Sequence, residues 1–277
     1  VLEMINEEAD KAVARATSKL GVPMIMSNQA SFPMEEITAE MGDSPRWFQL
    51  YWSKSNDLVR SLVQRAEKCG CSAIAVTLDT TILGWRVQDL DLMHLPFLKG
   101  QGIAQYTSDP VFNTIVANMD FGDNPLKLPP DLGVSPETFK AVQTFTGVYS
   151  RPSITWEDLA FLRSVTDLPI LLKGILHPKD GALAVKYGVD GIIVSNHGGR
   201  QVDGAIAAID ALPKVVEAVR KAGSDMPILM DSGIRTGAHI FKALALGAKA
   251  VCVGRPYAYG LALAGQQGVE AVLANLM

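Results

Sequence analysis

The sequence predicts a (β/α)8 barrel that lacks its first strand. Short, continuously apolar runs alternate with helical patterns along the 277 residues, giving seven strand–helix units. Uninterrupted apolar strands are typical of a parallel sheet covered on both faces. An open, doubly wound sheet is the alternative, but it would normally carry a G-x-G-x-x-G fingerprint, which this sequence does not contain. The chain opens at Val1 on a helix, so we expect it to be a fragment whose first strand lies upstream.

In the first third of the chain, apolar spacing and capping residues define the elements. The predicted helices span residues 7–20, 34–41 and 55–68. The predicted strands span residues 23–28, 47–52 and 73–79. The 55–68 helix is the clearest, because Leu58, Val59 and Leu62 share one stripe, Ser55 can cap its start and Gly70 can end it.

The alternation of strand and helix patterns stops over residues 84–150, which contain many of the prolines and show no sustained hydrophobic period. We interpret this segment as a long, lid-like insertion within a single domain covering residues 1–277. The alternation then resumes. The predicted strands span residues 169–174, 191–194, 227–231 and 250–255. The predicted helices span residues 178–187, 208–221, 238–246 and 263–277.

Composition narrows the classes of function. The formal net charge is -4 and no basic stripe is visible, which argues against a nucleic-acid partner. No apolar run reaches about 18 residues, which argues against a membrane span. The three cysteines, Cys69, Cys71 and Cys252, form neither a metal-spaced set nor an even disulfide framework. We therefore expect no metal site and a cytoplasmic location.

The central motif is the run SNHGGRQVDG at residues 195–204, directly after the 191–194 strand. Its glycines allow left-handed backbone angles and close approach of a flat ligand. His197 and Arg200 place a base and a fixed cation on one loop, which suits proton abstraction from a bound anion. A turn with a capping histidine and a solvated arginine is the alternative. Further polar residues occur at other strand ends, where barrels carry their chemistry, and burying them would be costly without a partner or a function.

These motifs, with LPILLKGI, MDSGIRTG and VGRPYAYG, resemble the FMN-dependent 2-hydroxy-acid oxidase family over essentially the whole chain. The runs TLDTTILGWRVQDLD and FLKGQGIAQYTSDPVF most resemble its lactate 2-monooxygenase and lactate oxidase members. The resemblance implies that His197 is the active-site base and that Asp79 stabilises its imidazolium. It also implies that Arg86 and Arg200 bind the substrate carboxylate and that Tyr51 lies beside the substrate.

The resemblance also implies an FMN site. Lys173 would lie near flavin N1, where negative charge collects on reduction, and it joins His197, Asp79 and Tyr51 in the implied catalytic set. The other implied cofactor contacts are Ser27, Gln49 and Thr77 at the flavin ring, Asp231 at the ribityl chain, and Gly233, Arg235, Gly254 and Arg255 at the phosphate.

The implied activity is oxidation of a small L-2-hydroxy acid, with lactate favoured, FMN as cofactor and oxygen as acceptor. Oxidative decarboxylation is a possible outcome, and the family is commonly homotetrameric. Trp85 stands where several members have a polar residue, which bears on substrate size. The alternatives are a barrel that uses FMN or a phosphate ligand for another task, such as isomerisation, and a non-catalytic fragment.

Overall fold

Seven parallel strands form one curled sheet in the computed structural model, which describes residues 1–92, 95–120 and 133–277. Their spatial order is their chain order, so each strand pairs with the next along the sequence. This sequential parallel pairing confirms the predicted barrel class, with β1 and β7 at the edges of the described sheet. The strands are β1 (Met24–Met26), β2 (Arg46–Tyr51), β3 (Ile74–Thr77), β4 (Ile170–Ile175), β5 (Gly191–Val194), β6 (Ile228–Met230) and β7 (Ala250–Val251).

Helices connect the strands and cover the outside of the sheet. Short 3-10 turns add Leu2–Met4, Pro96–Lys99, Trp156–Asp158 and His197–Gly199. The α-helices are α1 (Ala9–Leu20), α2 (Met34–Ala39), α3 (Asn56–Lys68), α4 (Val87–Asp91), α5 (Ala104–Thr107), α6 (Pro110–Asn118), α7 (Pro136–Val148), α8 (Leu159–Val165), α9 (Pro178–Lys186), α10 (Ala208–Lys221), α11 (Gly237–Ala245) and α12 (Arg255–Leu276).

The structure confirms the predicted N-terminal cap of α3. The Ser55 hydroxyl accepts a hydrogen bond from the backbone N–H of Leu58 at 3.3 Å, which caps α3 as expected. Gly21, with a left-handed backbone, ends α1. The last helix is longer than predicted, because it begins at Arg255 and bends at Ala264 and Gly265 instead of beginning at residue 263.

Residues 84–150, which show no sustained period in the sequence, contain regular structure. Helices α4 to α7 lie there, and Tyr106, Phe112 and Phe145 are among the largest fully buried side chains. The Tyr106 ring meets Phe145 edge-on at 4.9 Å between centroids. Helices α4 and α5 have only 5 and 4 residues, too few to show a period. The 13-residue α7 buries only Val142, Thr144 and Phe145, which do not make a regular apolar stripe. Residues 121–132 of the predicted insertion lie outside the described residues.

The described residues of the 82–98 segment, 82–92 and 95–98, follow β3. Several large apolar side chains are exposed there, and Trp85 is 83% exposed. They form one exposed apolar stretch. Its apolar members are Ile82, Leu83, Trp85, Val87, Leu90, Leu92, Leu95 and Leu98. Within the described ranges, no helix is both long and apolar enough to cross a membrane.

A bulge in β4 makes room for the loop that follows β3. The register between β4 and β5 shifts between Lys173 and Ile175, and Gly174 takes φ +105°. A Cβ at Gly174 would lie 2.8 Å from the Cβ of Asp79, so glycine is required both for the backbone angle and for the close approach.

We expect Gly174→Ala to lower the free energy of unfolding by about 2–4 kcal/mol, because it adds a steric clash to an unfavourable backbone angle. Gly188→Ala is the matched control, since Gly188 also has positive φ but its Cβ would meet no atom within 4 Å. The control should lose only about 1 kcal/mol. Urea unfolding of both variants measures the difference, and equal losses would show that the contact with Asp79 is not tight.

Candidate active site

A cavity of about 370 Å³ opens at the carboxyl-terminal ends of the strands. Most of the residues singled out in the sequence line it: Ser27, Gln49, Tyr51, Thr77, Lys173, His197, Arg200, Asp231, Gly233, Arg235, Gly254 and Arg255. Two do not line it. Asp79 lies behind His197, and Arg86 lines a neighbouring cavity of about 270 Å³ that Tyr51, His197 and Arg200 share with the first.

The His197 imidazole is oriented by a carboxylate. Its Nδ1 lies 2.9 Å from Oδ1 of Asp79, although the two residues follow different strands, β5 and β3. A carboxylate at Nδ1 favours the tautomer that keeps the proton there, which leaves Nε2 free to accept another. The backbone of His197 is itself left-handed, with φ +57°, so the loop holds the ring at a conformational cost.

Lys173 provides a fixed cation beside this pair. Its Nζ lies 3.4 Å from Nδ1 of His197 and 3.6 Å from Oδ2 of Asp231. All of these side chains are largely enclosed, with at most 18% exposed. Because charges interact more strongly where water is excluded, this arrangement can stabilise negative charge that develops on a bound ligand.

The residues expected at the flavin ring form a connected polar edge. The amide of Gln49 donates to the Thr77 hydroxyl at 2.9 Å and accepts from the backbone N–H of Asn28 at 3.1 Å. The buried Asn28 carbonyl in turn accepts from the N–H of Tyr51 at 2.9 Å and from the hydroxyl of Tyr106 at 3.2 Å. Asn28 was not among the candidate residues, although its place directly after the first apolar run was a usable signal.

The smaller cavity places two positively charged arginines, Arg86 and Arg200, near the neutral phenol of Tyr51. Burial raises the pKa of Tyr51, so its hydroxyl stays protonated and able to donate. Partial burial and then repulsion from Arg86 lower the pKa of Arg200. Two guanidinium groups therefore share one small cavity beside the base, and an anionic ligand bound between them would relieve their repulsion.

A serine that the sequence analysis missed organises the central loop. The Ser232 hydroxyl accepts hydrogen bonds from the backbone N–H groups of Asn196 and Gly198, at 3.3 and 3.0 Å. It donates to Oδ1 of Asp231 at 2.6 Å. Ser232 has φ +73°, and a non-glycine residue in that region of backbone space often marks a functional site. The sequence offered only its position within MDSG.

The opposite end of the larger cavity suits a phosphate. Arg235 and Arg255 line it, and a Cβ placed on Gly233 or Gly254 would meet no atom within 4 Å, so these backbones face open space. The Arg255 guanidinium also donates to the carbonyl of Gly198, which ties this end to the His197 loop. Along the cavity, the polar side chains at the Gln49 end are followed by the Asp231 carboxylate and then by the two arginines. These groups match the ring edge, the ribityl chain and the phosphate of FMN in that order, so the residues fit this cofactor.

The sequence led us to expect no metal site in this chain. In the part of the chain that the structure describes, no group of three or more histidine, cysteine, aspartate or glutamate side chains is placed to hold a metal ion. Cys252 lines the larger cavity, and burial raises the pKa of its thiol to about 12, so it stays protonated there at neutral pH.

Comparison with known proteins agrees with this reading of the cavity. The chain is 44% identical over 273 residues to an L-lactate oxidase of Lysinibacillus sphaericus, covering 99% of this chain and 66% of the relative. It is 41% identical to human 2-hydroxyacid oxidase 1, covering 98% of this chain and 67% of that protein.

Solved structures are also similar to this chain. A mandelate oxidase crystallised with (S)-4-hydroxymandelic acid superposes with a TM-score of 0.79 at 37% identity, covering 99% of this chain and 70% of the other. This chain thus spans about two thirds of the length of the relatives it matches. The model of the family described as FMN-dependent dehydrogenase matches residues 1–277 in full. Since the match runs through every strand end described above, the chain belongs to the FMN-dependent dehydrogenase family.

Proposed function

We propose that the protein oxidises a small L-2-hydroxy acid, with lactate favoured, to the 2-oxo acid, using FMN and passing the electrons to oxygen. One observation carries this proposal: the carboxylate-oriented His197 opens into the same small cavity as two arginines, and that cavity adjoins a slot that fits FMN. The arginines can bind the carboxylate of a 2-hydroxy acid, and the base can take up the proton of the neighbouring hydroxyl-bearing carbon group. The L-lactate oxidase and 2-hydroxyacid oxidase relatives support this substrate class.

The residues that would hold FMN are those of the larger cavity. Gln49 and Thr77 would bind the polar edge of the ring, Asp231 a ribityl hydroxyl, and Arg235 and Arg255 the phosphate. When bound, FMN supplies a two-electron acceptor for the substrate. The remaining contacts expected there, Ser27, Lys173, Gly233 and Gly254, line the same cavity.

The chain's own groups account for binding and proton transfer. Arg86 and Arg200 bind and orient the carboxylate, since planar guanidinium groups match it in both charge and shape. The protonated Tyr51 hydroxyl can donate to a substrate oxygen. His197 Nε2 takes up the proton released on oxidation, and the Asp79 carboxylate stabilises the resulting imidazolium.

The exposed segment 82–98 serves as a lid in this proposal. Leu83, Arg86, Leu95 and Phe97 line the smaller cavity, so the segment bounds the space in which the substrate would bind. A lid that holds the 2-oxo acid while oxygen arrives would favour oxidative decarboxylation, in which lactate and oxygen give acetate, carbon dioxide and water. Prompt release would instead give pyruvate and hydrogen peroxide. The homotetramer and the cytoplasmic location stay predictions.

The function is tested by mixing the FMN-loaded protein with lactate under anaerobic conditions. We expect the yellow colour to bleach with L-lactate and to persist with propionate, which keeps the carboxylate but lacks the hydroxyl. Product analysis in air then separates acetate from pyruvate and peroxide. A yellow protein that no 2-hydroxy acid bleaches would favour the isomerase alternative, and a protein that binds no flavin would favour the non-catalytic one.

We expect His197→Ala to bind FMN normally but to slow flavin reduction by about 10²–10⁴-fold, because the general base is lost. Stopped-flow absorbance measures the reduction rate. His177→Ala is the control, since His177 is an exposed histidine that caps α9 away from the cavity. A reduction rate within a fewfold of the unaltered protein in His197→Ala would contradict the role assigned to this residue.

We expect Arg200→Lys to raise the KM for lactate by about 10–100-fold, because lysine keeps the charge but cannot form the two-pronged contact with a carboxylate. Steady-state kinetics measures the effect. Arg220→Lys, on an exposed side chain of α10, is the matched control. An unchanged KM in Arg200→Lys would mean that the substrate carboxylate binds elsewhere.

A further inference from the structure

One side-chain amide joins the loop after β3 to the loop after β5. Gln201 Nε2 donates to the carbonyls of Asp79 and Ile82, at 2.8 and 2.9 Å. Gln201 Oε1 accepts from the backbone N–H of Gly84 at 3.3 Å and from Nη2 of Arg86 at 3.1 Å. All four partners lie between residues 79 and 86, so a single side chain fastens the start of the 82–98 segment.

The backbones of the two loops are also in close contact. A Cβ at Gly84 would lie 2.6 Å from the carbonyl oxygen of Arg200, so only glycine allows this approach. Nε of Arg86 donates to the same carbonyl at 3.1 Å. The guanidinium of Arg86 is therefore held on two sides by the loop that carries His197 and Arg200.

The chemistry of the contact requires an amide. Gln201 uses both of its N–H donors and accepts two hydrogen bonds on its oxygen, which fills its capacity. A carboxylate would lack the donors for the two carbonyls, and an ammonium would lack the acceptor for Arg86. The side chains of Ile82, Trp85 and Val87 are exposed, so they contribute little to holding the segment in place.

We propose that Gln201 is a positioning residue for the reaction: it holds Arg86 at the substrate carboxylate. This inference rests on the proposed function, in which Arg86 binds the carboxylate. Arg86 also lies 3.6 Å from Asp89 on α4, which lines the same cavity. Without Gln201, the Asp89 carboxylate would compete with a bound carboxylate for the guanidinium.

The first test is Gln201→Met, which keeps the length of the side chain and removes its strong hydrogen bonds. We expect the KM for lactate to rise about tenfold, as for loss of a hydrogen bond to a charged group, with kcat within about threefold. The Kd for propionate, measured by calorimetry on the FMN-loaded protein, should rise by the same factor. Gln88→Met is the matched control, because Gln88 is an exposed glutamine on the same segment.

A double-mutant cycle separates positioning from general destabilisation. If Gln201 acts through Arg86, then Gln201→Met should change the propionate Kd by less than about twofold in an Arg86→Ala background. Equal effects in both backgrounds would overturn the proposal, as would an unchanged propionate Kd in Gln201→Met alone. Because propionate binding needs no turnover, these outcomes stand even if the protein oxidises no 2-hydroxy acid, which would overturn only the proposed function.

Hydrogen exchange tests the contact itself and does not depend on a variant that folds. In the unaltered protein, the Gly84 amide should exchange slowly despite its place in an exposed segment, because it donates to Gln201. In Gln201→Met the protection over residues 80–86 should fall, while that of β5 stays. Fast exchange of Gly84 in the unaltered protein would overturn the proposal.

Discussion

The hydrogen bond between His197 Nδ1 and Asp79 Oδ1 is the interaction on which the site depends. It spans β4, because Asp79 follows β3 and His197 follows β5. The loop carrying Asp79 reaches its place only because Gly174 in β4 has no side chain to block it. A backbone feature of one strand thus sets the chemistry of its two neighbours, since the imidazole tautomer follows from where the carboxylate lies.

Around this pair, side-chain hydrogen bonds join the loops, although Oδ2 of Asp79 and Nδ2 of Asn28 are buried without a protein partner. Ser232 orders the backbone of the His197 loop, Asn28 links Gln49 to Tyr51, and Gln201 secures the segment after Asp79. Each connects loops or strands that are far apart in sequence. Such connections limit the motion of the reacting groups, and that preorganisation is what makes fixed dipoles effective in a site shielded from water.

Stability is distributed unevenly around the cavity. The strand ends rest on a dense apolar layer between the sheet and the helices, and a smaller cluster inside the curled sheet includes Ala75, Leu171 and Ile193. The described residues of the 82–98 segment expose much of their apolar surface, and the hydrogen bonds of Gln201 secure its start. That start is therefore held by polar contacts with the loop after β5 more than by apolar burial.

The sequence by itself determined the barrel class, most strand positions and most of the cavity residues, because parallel strands place their carboxyl ends at one edge whatever their loops do. It also carried the family resemblance through SNHGGRQVDG. It did not reveal helices α5 to α7, which bury Tyr106 and Phe145 against each other although the two residues are far apart in sequence. Only the tertiary structure decided which side chains Asn28, Ser232 and Gln201 join, because a hydrogen bond between two loops depends on their distance in space and leaves no local pattern in the chain.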